Sequence, residues 1–225
     1  MIEIRKLSKS FGPTEVLADI NLELKKAKIY GVVGENGSGK TTLFKCIAGL
    51  EDYDGNIKSE FKPLKNHLGL LLTEPYFLSK ITAREYVIMM CNARNKSYDQ
   101  LDKKNIFDLP LDKYAKQYST GMKKKLAILA VLMQGNDVFI LDEPFNGVDV
   151  QSNILISEIL MELKKLEKTV LISSHIFSSL TDICDEIFLL KNGEINGVYA
   201  KGDFNLLRRE MNEKAIGDRI KDLEL

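Results

Sequence analysis

The first 35 residues carry the short-period hydrophobic pattern that is typical of β-strands. Ile20, Leu22 and Leu24 alternate with polar residues, and residues 29–33 form an apolar run that ends at a glycine. Alternation places successive side chains on opposite faces of a strand, and a continuous apolar run fits a strand that is buried on both faces. We therefore predict an antiparallel β subdomain at the N-terminus, followed by a buried strand.

Beyond residue 35, segments with helical spacing alternate with short apolar runs. Leu43, Ile47 and Leu50 lie four and three positions apart, so they share one face of a helix that ends near Gly49. Residues 126–133 are apolar all round, which predicts a helix that is buried on most sides. The other predicted strands are 68–72, 138–141, 169–173, 187–190 and 195–199, and the other predicted helices are 154–166 and 177–184.

Strands that alternate with helices indicate an α/β protein with a mixed β-sheet core and flanking helices. Residues 191–193, Lys-Asn-Gly, predict a hairpin turn between the last two strands. Residues 83–115 have helical spacing and are rich in Lys, Asn and Asp, so we predict a short inserted helical subdomain there. We expect a single domain over residues 1–225. Its parts are a core of about 1–75 and 135–202, a helical subdomain of about 82–134 and a C-terminal helical tail at 203–225.

Composition narrows the functional classes. The chain is 44% hydrophobic and 28% charged, which is ordinary for a globular protein, and its 32 basic and 32 acidic residues cancel. A neutral chain argues against a dedicated duplex-DNA binder.

Three cysteines without a CxxC pair predict free buried thiols rather than disulfides or a zinc site. The longest apolar run is far shorter than the roughly 20 residues of a bilayer span, and no signal-peptide pattern opens the chain, so we expect a cytoplasmic protein.

Residues 34–41, Gly-Glu-Asn-Gly-Ser-Gly-Lys-Thr, match the pattern GxxxxGK[ST], with an apolar strand before them and an amphipathic helix after them. Glycine lets the loop curl so that successive N–H groups point at phosphate oxygens, and the helix N-terminus adds partial positive charge. Lys40 supplies a cation for the terminal phosphates, and the Thr41 hydroxyl can ligate Mg²⁺. This pattern predicts a nucleotide phosphate site.

A second acidic motif follows the apolar residues 138–141, which are predicted to form a strand. Asp142 and Glu143 lie at the carboxyl end of this strand, where open α/β sheets place their ligands. Because neighbouring residues of a strand point to opposite faces, the two carboxylates can have different roles. Asp142 would bind Mg²⁺, and Glu143 would act as the general base for an attacking water. The simpler alternative is a pair of solvated acids before a turn at Pro144.

Two further features are weak evidence for a functional site when each is taken alone. Ser119 and Gly121 precede the buried helix and can form an anion-binding helix N-terminus, although a plain N-cap explains them equally well. His175 follows the predicted strand 169–173, where a lone histidine is more often structural than catalytic.

Together these motifs resemble the nucleotide-binding subunit of ABC transporters over about residues 1–200, in the order that is usual for the family. The resemblance implies a P-loop NTPase fold and an ATPase that uses ATP and Mg²⁺. It implies Glu143, His175 and Lys40 as catalytic residues, Thr41, Asp142 and Thr73 as metal-binding residues, and Asp149 as the D-loop residue of the dimer. The implied nucleotide-binding residues are Phe11, which would stack on adenine, Gly34, Glu35, Asn36, Gly37, Ser38, Gly39, Lys40, Thr41, Thr42, Ser119 and Gly121.

The sequence departs from the family pattern in three places. The signature LSGGQ appears as Tyr-Ser-Thr-Gly-Met, which keeps Ser119 and Gly121. Where the family has a Q-loop glutamine this chain has Thr73 followed by Glu74, so either Thr73 reaches Mg²⁺, through water, or Glu74 takes over. The inserted subdomain is short. The signature and the short insert resemble the branch of drug or antibiotic exporters.

The resemblance also implies partners. Two cassettes, most simply two copies of this chain, would close head to tail over two ATP molecules, and a separate transmembrane permease subunit would hold them on the inner face of the membrane. Tyr76 and Phe77 would contact this permease, unless they pack inside their own subdomain. No nucleic-acid partner is expected.

Two other functions remain open at this stage. A related soluble ABC-type ATPase could act on nucleic acid or translation, but such chains usually carry two cassettes, long coiled-coil inserts or basic tails. A small P-loop kinase would suit the length, but it needs an arginine-rich lid, and few arginines follow residue 41.

Overall fold

The structure is a computed structural model that describes the backbone of residues 1–216 and the side chains of residues 1–211; the end of the predicted C-terminal tail lies outside the described residues. The strands are β1 Ile2–Phe11, β2 Thr14–Leu24, β3 Ile29–Val33, β4 Asp54–Ser59, β5 Leu68–Leu71, β6 Val138–Asp142, β7 Thr169–Ser173, β8 Glu186–Lys191 and β9 Glu194–Ala200. The helices are α1 Lys40–Ile47, α2 Ala83–Asn92, α3 Leu101–Lys104, α4 Thr120–Met133, α5 Val150–Lys165, α6 Phe177–Ile183 and α7 Phe204–Ile216.

The N-terminal strands form a three-stranded antiparallel sheet in the order β2-β1-β4, which confirms the predicted antiparallel subdomain. Ile4 pairs with Leu22 on one side of β1 and with Ile57 of β4 on the other. The sequence prediction lacked β4. Its residues, Asp-Gly-Asn-Ile-Lys-Ser, show almost no apolar alternation, so this strand depends on its pairing with β1 rather than on a local signal.

The larger sheet has six strands in the order β5-β6-β7-β3-β8-β9, and all neighbours are parallel except β8 and β9. The mixed sheet predicted from the strand and helix pattern is therefore confirmed. β3 lies inside this sheet, between β7 and β8, and every one of its residues is buried. Because β3, β5, β6 and β7 run in the same direction, their carboxyl ends share one edge of the sheet.

Hydrophobic side chains fill both faces of this sheet. Ile29 and Val33 of β3 point into a core shared with α4, α5 and α6, whereas Tyr30 and Val32 point into a core shared with α1 and the antiparallel sheet. The side chains of successive strand residues thus anchor the two layers on opposite faces. Tyr30 stacks on Phe188 at a ring-centroid distance of 5.5 Å.

The inserted segment is less helical than predicted. Between α2 and α4 only the four residues of α3 form an α-helix, and Asn95, Gln100 and Asp108 adopt positive φ angles of 51°, 60° and 50°. A left-handed backbone cannot continue a right-handed helix, so these positions break the pattern. Arg84 instead ties the segment together through hydrogen bonds to Asp102 and Asp112.

Other sequence predictions agree with the structure. α4 is buried over most of its length, and the cysteines Cys46, Cys91 and Cys184 are free and buried. Within residues 1–216, no helix is both long enough and apolar enough to cross a bilayer.

The turn between β8 and β9 yields a stability prediction. Asn192 and Gly193 have φ angles of 50° and 79°, and a Cβ atom on Gly193 would lie 2.6 Å from the carbonyl oxygen of Val16. We expect Gly193→Ala to lower the free energy of unfolding by about 1–3 kcal/mol, because it adds backbone strain and this contact. Gly202→Ala is the control, since a Cβ atom added there would have no other atom within 4 Å. Urea denaturation should show a clear loss only for Gly193→Ala; equal losses in both variants would contradict this account.

Candidate nucleotide site

The glycine-rich loop connects β3 to α1 at the shared carboxyl edge of the sheet. Gly37 and Gly39 have φ angles of 82° and 105°, which glycine adopts with little strain. Gly34 lies so close to the β8–β9 hairpin that a Cβ atom would be 2.2 Å from the carbonyl oxygen of Leu190. The loop therefore needs glycine for its own curl and for its packing against the neighbouring hairpin.

Lys40 folds back over this loop. Its Nζ donates hydrogen bonds to the carbonyl oxygens of Gly34, at 2.8 Å, and of Glu35, at 3.0 Å. Burial lowers the pKa of Lys40, and the nearby carboxylates of Glu143 and Asp142 oppose that shift. The geometry thus places a buried cation directly beside the loop.

Asp142 accepts hydrogen bonds from three hydroxyl groups on three different segments. Its Oδ2 receives Thr41 Oγ1 at 2.6 Å and Thr73 Oγ1 at 2.7 Å. Its Oδ1 receives Ser173 Oγ at 2.6 Å. Asp142 is only 1% exposed, so these donors compensate for most of the hydration that its carboxylate has lost.

Glu143 adopts a φ of 51°, outside the range of the preceding strand, and its side chain meets His175. His175 Nδ1 lies 2.7 Å from Glu143 Oε2, and the His175 backbone N–H donates to the same oxygen at 3.2 Å. The amide N–H of Glu143 donates to Ser173 Oγ at 3.0 Å. Glu143 comes after the last residue of β6 and has a left-handed backbone, so this backbone, and not the predicted strand alternation, sets the direction of its side chain.

These residues surround a cavity of about 360 Å³. The cavity brings the glycine-rich loop, the acidic pair, Thr73 and His175 together from separate segments of the chain. Its lining residues are Asn36, Gly37, Gly39, Lys40, Thr41, Thr42, Thr73, Asp142, Glu143, Asn146 and His175. Glu35 contributes its carbonyl group to the Lys40 contact, and Ser38 is buried beneath the loop.

Six residues predicted to bind nucleotide do not line this cavity: Gly34, Glu35 and Ser38 belong to the glycine-rich loop itself, and Phe11, Ser119 and Gly121 lie on other segments. Phe11 ends β1 with 48% of its surface exposed, and Lys9 Nζ lies 4.7 Å from its ring centroid. Ser119 caps α4, where its Oγ accepts a hydrogen bond from the Met122 N–H at 3.3 Å. Gly121 packs against the carbonyl group of Gly147. Within one chain, the signature residues are thus separate from the phosphate loop.

Asp149 lies beside the signature segment. It caps α5 by accepting a hydrogen bond from the Ser152 N–H at 2.9 Å, and it forms an ion pair with Lys125 at 3.2 Å. The Ser152 amide and hydroxyl, followed by Lys125, lower the pKa of Asp149 to about 2. Asp149 therefore links the N-termini of α4 and α5.

The two aromatic residues predicted to contact a partner differ in exposure. Tyr76 is 80% exposed, whereas Phe77 is partly buried and packs against Tyr86 with ring centroids 4.6 Å apart. Both line a groove of about 700 Å³ next to α2, together with Met89 and Lys116. The Phe77 ring thus packs within its own subdomain, and Tyr76 is the freer of the two.

The donor set at Asp142 fits Mg²⁺, because a carboxylate and hydroxyl oxygens are hard ligands. No group of three or more His, Cys, Asp or Glu residues is positioned to hold a metal in the part of the chain that the structure describes. One carboxylate with two hydroxyl neighbours suits Mg²⁺ that is bound together with phosphate groups and water. Of the two Q-loop alternatives, Thr73 contacts Asp142, whereas Glu74 does not line the cavity.

Sequence reasoning missed two residues of this site. Ser173 contacts both acids because β7 is paired with β6, and the pairing sets Ser173 opposite Asp142. Asn146, which follows the acidic pair, lines the cavity. A hydroxyl residue at the end of a predicted parallel strand was a usable signal, but strand order was needed to place it.

Comparison with known proteins identifies the family. The ABC transporter family profile matches residues 17–146. The chain belongs to the ABC transporter family. This ABC cassette is 35% identical to the bacitracin transport ATP-binding protein of Enterococcus faecalis, over 97% of this chain and 75% of that protein. It is 30% identical to the lantibiotic transport ATP-binding protein of Streptococcus pyogenes, over 87% of this chain and 89% of that protein.

A solved structure supports the fold independently. A dimeric ATP-binding cassette in a post-hydrolysis state, bound to ADP and Pi, superposes on this ABC cassette with a TM-score of 0.80. The match covers 89% of this chain and 99% of that chain at 18% identity, so it shows the shared fold alone. The P-loop NTPase fold implied by the motifs is thereby confirmed. As an ABC cassette, the chain is an ATPase.

The Ser173 contacts yield a prediction for the ATPase. We expect Ser173→Ala to lower the ATP hydrolysis rate about tenfold to a hundredfold, because a hydrogen bond to a charged group contributes about 1.5–3 kcal/mol. Ser157→Ala is the control, since it removes a hydroxyl that bonds only the Asn153 carbonyl group, at 3.0 Å on α5. A coupled phosphate-release assay on both folded variants is the test. Equal rates for the two variants would rule out this role for Ser173.

Proposed function

We propose that this chain binds ATP with Mg²⁺ and hydrolyses it as one half of a dimeric cassette that powers transport, in the export direction, through a separate membrane subunit. The convergence of Lys40, Asp142, Glu143 and His175 on one cavity carries the proposal. A phosphate-binding loop, a metal-binding carboxylate and a carboxylate placed for a water molecule are together what ATP hydrolysis requires.

The phosphates bind at the loop. The N-terminus of α1 provides positive potential, and Lys40 provides a full charge beside it. Thr41, Asp142 and Thr73 would supply oxygen atoms that hold Mg²⁺. Bound Mg²⁺ neutralises charge on the phosphates.

Glu143 acts on the attacking water. Its carboxylate lies on the cavity wall and accepts the proton of this water, while the Nδ1 contact with His175 fixes its orientation. His175 also lines the cavity, so it can reach the terminal phosphate when a nucleotide is bound. A carboxylate oriented in this way suits transfer of the phosphoryl group to water rather than to a metabolite.

Dimerisation completes the site. Ser119 and Gly121 do not line the cavity of their own chain, yet they mark the N-terminus of the long helix α4, whose N–H groups favour an anion. In a head-to-tail pair, these residues of one copy face the glycine-rich loop of the other, with ATP between them. Asp149 lies at the same surface, and Phe11 is exposed and available to stack on adenine.

Transport requires a membrane partner. The relatives are named as transport ATP-binding proteins, which favours transport over an action on nucleic acid, and the neutral charge agrees with this preference. We place the partner's contact at the groove beside Tyr76 and Phe77, so that the cassette is cytoplasmic and peripheral on the inner face of the membrane. The Gly-Met signature and the short insert favour export.

Glu143→Gln tests the hydrolysis and dimerisation proposals together. Because an amide cannot accept the proton of the water, we expect ATP hydrolysis to fall by about 10²–10⁴-fold while ATP binding persists. Light scattering on a sizing column should then show a monomer without ATP and a dimer with ATP. Glu158→Gln, on α5 and away from the cavity, should hydrolyse ATP as the parent does. Parental hydrolysis by Glu143→Gln would refute the general-base role.

Tyr76→Ala tests the partner contact. Truncation of an aromatic anchor at an interface costs about 2 kcal/mol or more, so we expect co-purification with the proposed membrane subunit to fall at least about tenfold. Tyr98→Ala removes a similar ring, 42% exposed, from outside the groove and should retain the partner. Thermal melting verifies that both variants are folded. Undiminished co-purification of Tyr76→Ala would place the contact elsewhere.

A further inference from the structure

Lys124 is a buried cation that the proposed mechanism does not use. It lies in the first turns of α4 and is only 2% exposed. Its ammonium forms no ion pair with a carboxylate in the part of the chain that the structure describes, whereas its neighbour Lys125 pairs with Asp149. A buried lysine without a salt bridge is costly, so its contacts require an explanation.

The Lys124 ammonium holds the segment that follows β5. Its Nζ donates to the carbonyl oxygen of Thr73 at 2.5 Å and approaches that of Leu72 at 3.4 Å. On its other side, Thr73 donates its hydroxyl to Asp142 Oδ2 at 2.7 Å. Two hydrogen bonds, one to the backbone and one from the side chain of Thr73, therefore connect Lys124 on α4 to the carboxylate of Asp142.

Packing alone does not account for a lysine at this position. Leu126, Ala127 and Ile128, two to four residues further along α4, are buried and apolar, so an apolar side chain at position 124 would suit the same core. Burial lowers the pKa of Lys124 to about 8, and attraction by Asp142, Glu143 and Glu74 opposes that shift. The lysine thus lies in the field of the acidic residues around the site.

Because the side chain of Thr73 is short, its hydrogen bond to Asp142 depends on the position of the Thr73 backbone, which Lys124 contacts. A threonine hydroxyl extends only one bond beyond Cβ, so it reaches Asp142 only while its backbone is held nearby. Lys124 binds that backbone through the carbonyl group of the same residue. A longer side chain at this position would tolerate a looser backbone.

We infer that Lys124 is a positioning residue, which fixes the Thr73 backbone so that the Thr73 hydroxyl stays on Asp142 and completes the Mg²⁺-binding edge of the site. Lys124 also connects that edge to the helix whose N-terminus carries Ser119. The inference rests on the proposed function, because it assigns a role in binding Mg²⁺ with ATP.

Binding of trinitrophenyl-ATP, measured by fluorescence with and without Mg²⁺, tests the inference without relying on turnover. All variants carry Glu143→Gln to prevent hydrolysis. We expect Lys124→Met to reduce the gain in nucleotide affinity caused by Mg²⁺ by about tenfold or more, as supporting residues of metal sites do, and to leave the Mg²⁺-free affinity within about twofold. Lys123→Met changes the neighbouring lysine, which is only partly exposed, and should keep the full gain.

A double-mutant cycle separates positioning from a general structural effect. Thr73→Val removes the hydroxyl and should produce a loss similar to that of Lys124→Met. If both act through one contact, the double variant loses no more than the larger single loss. Losses that multiply, or a Lys124→Met variant that retains the full Mg²⁺ gain, would overturn the inference.

A substitute variant and a reference chain, which carries Glu143→Gln alone, complete the test. If Lys124→Met does not fold, Lys124→Gln takes its place: its amide keeps a donor but is shorter and uncharged, so the Mg²⁺ gain should still fall, and an undiminished gain would overturn the inference. A reference chain that binds no trinitrophenyl-ATP at all would instead overturn the proposed function and this inference with it. If the chain with Glu143→Gln alone binds trinitrophenyl-ATP more tightly with Mg²⁺ than without it, a smaller gain in the Lys124 variant is due to the change at Lys124.

Discussion

The buried carboxylate of Asp142 is the interaction on which the arrangement of the site depends. A charge that is almost fully removed from water requires hydrogen bonds, and Asp142 obtains them from the hydroxyl groups of Thr41, Thr73 and Ser173. These donors belong to the helix after the glycine-rich loop, the segment after β5 and the end of β7. One side chain therefore holds three separate segments in register around the cavity.

The parallel sheet makes this convergence possible. Because β3, β5, β6 and β7 run in the same direction, the segments that follow them leave from the same edge. The loop, the acidic pair, Thr73 and His175 each follow one of these strands. Ser119 and Gly121, at the N-terminus of α4, do not line the cavity, so a single chain does not place its signature residues on its own glycine-rich loop. This separation is the physical reason for the proposed head-to-tail pair of cassettes.

Much of the fold could be predicted because its signals are local. Residues 169–173 show an apolar run, and the same residues form β7. α4 is apolar on nearly all sides and is buried. β4 escaped prediction because its polar residues form a strand only by pairing with β1. The helical spacing within the insert was misleading, since residues such as Asn95 and Asp108 adopt left-handed backbone conformations that no hydrophobic pattern reveals.

The sequence by itself determined the chemistry of this protein: the glycine-rich loop with Lys40, the acidic pair, His175 and the order of motifs that matches the family. These features are local, because each depends on residue types at fixed spacing. Only the tertiary structure decided that Thr73, rather than Glu74, contacts Asp142, that Ser173 joins the acidic pair and that Lys124 supports Thr73 from a distant helix. Such contacts depend on strand order and on the packing of α4 against the segment after β5, and those are set by hydrophobic burial across the whole chain rather than by any local pattern.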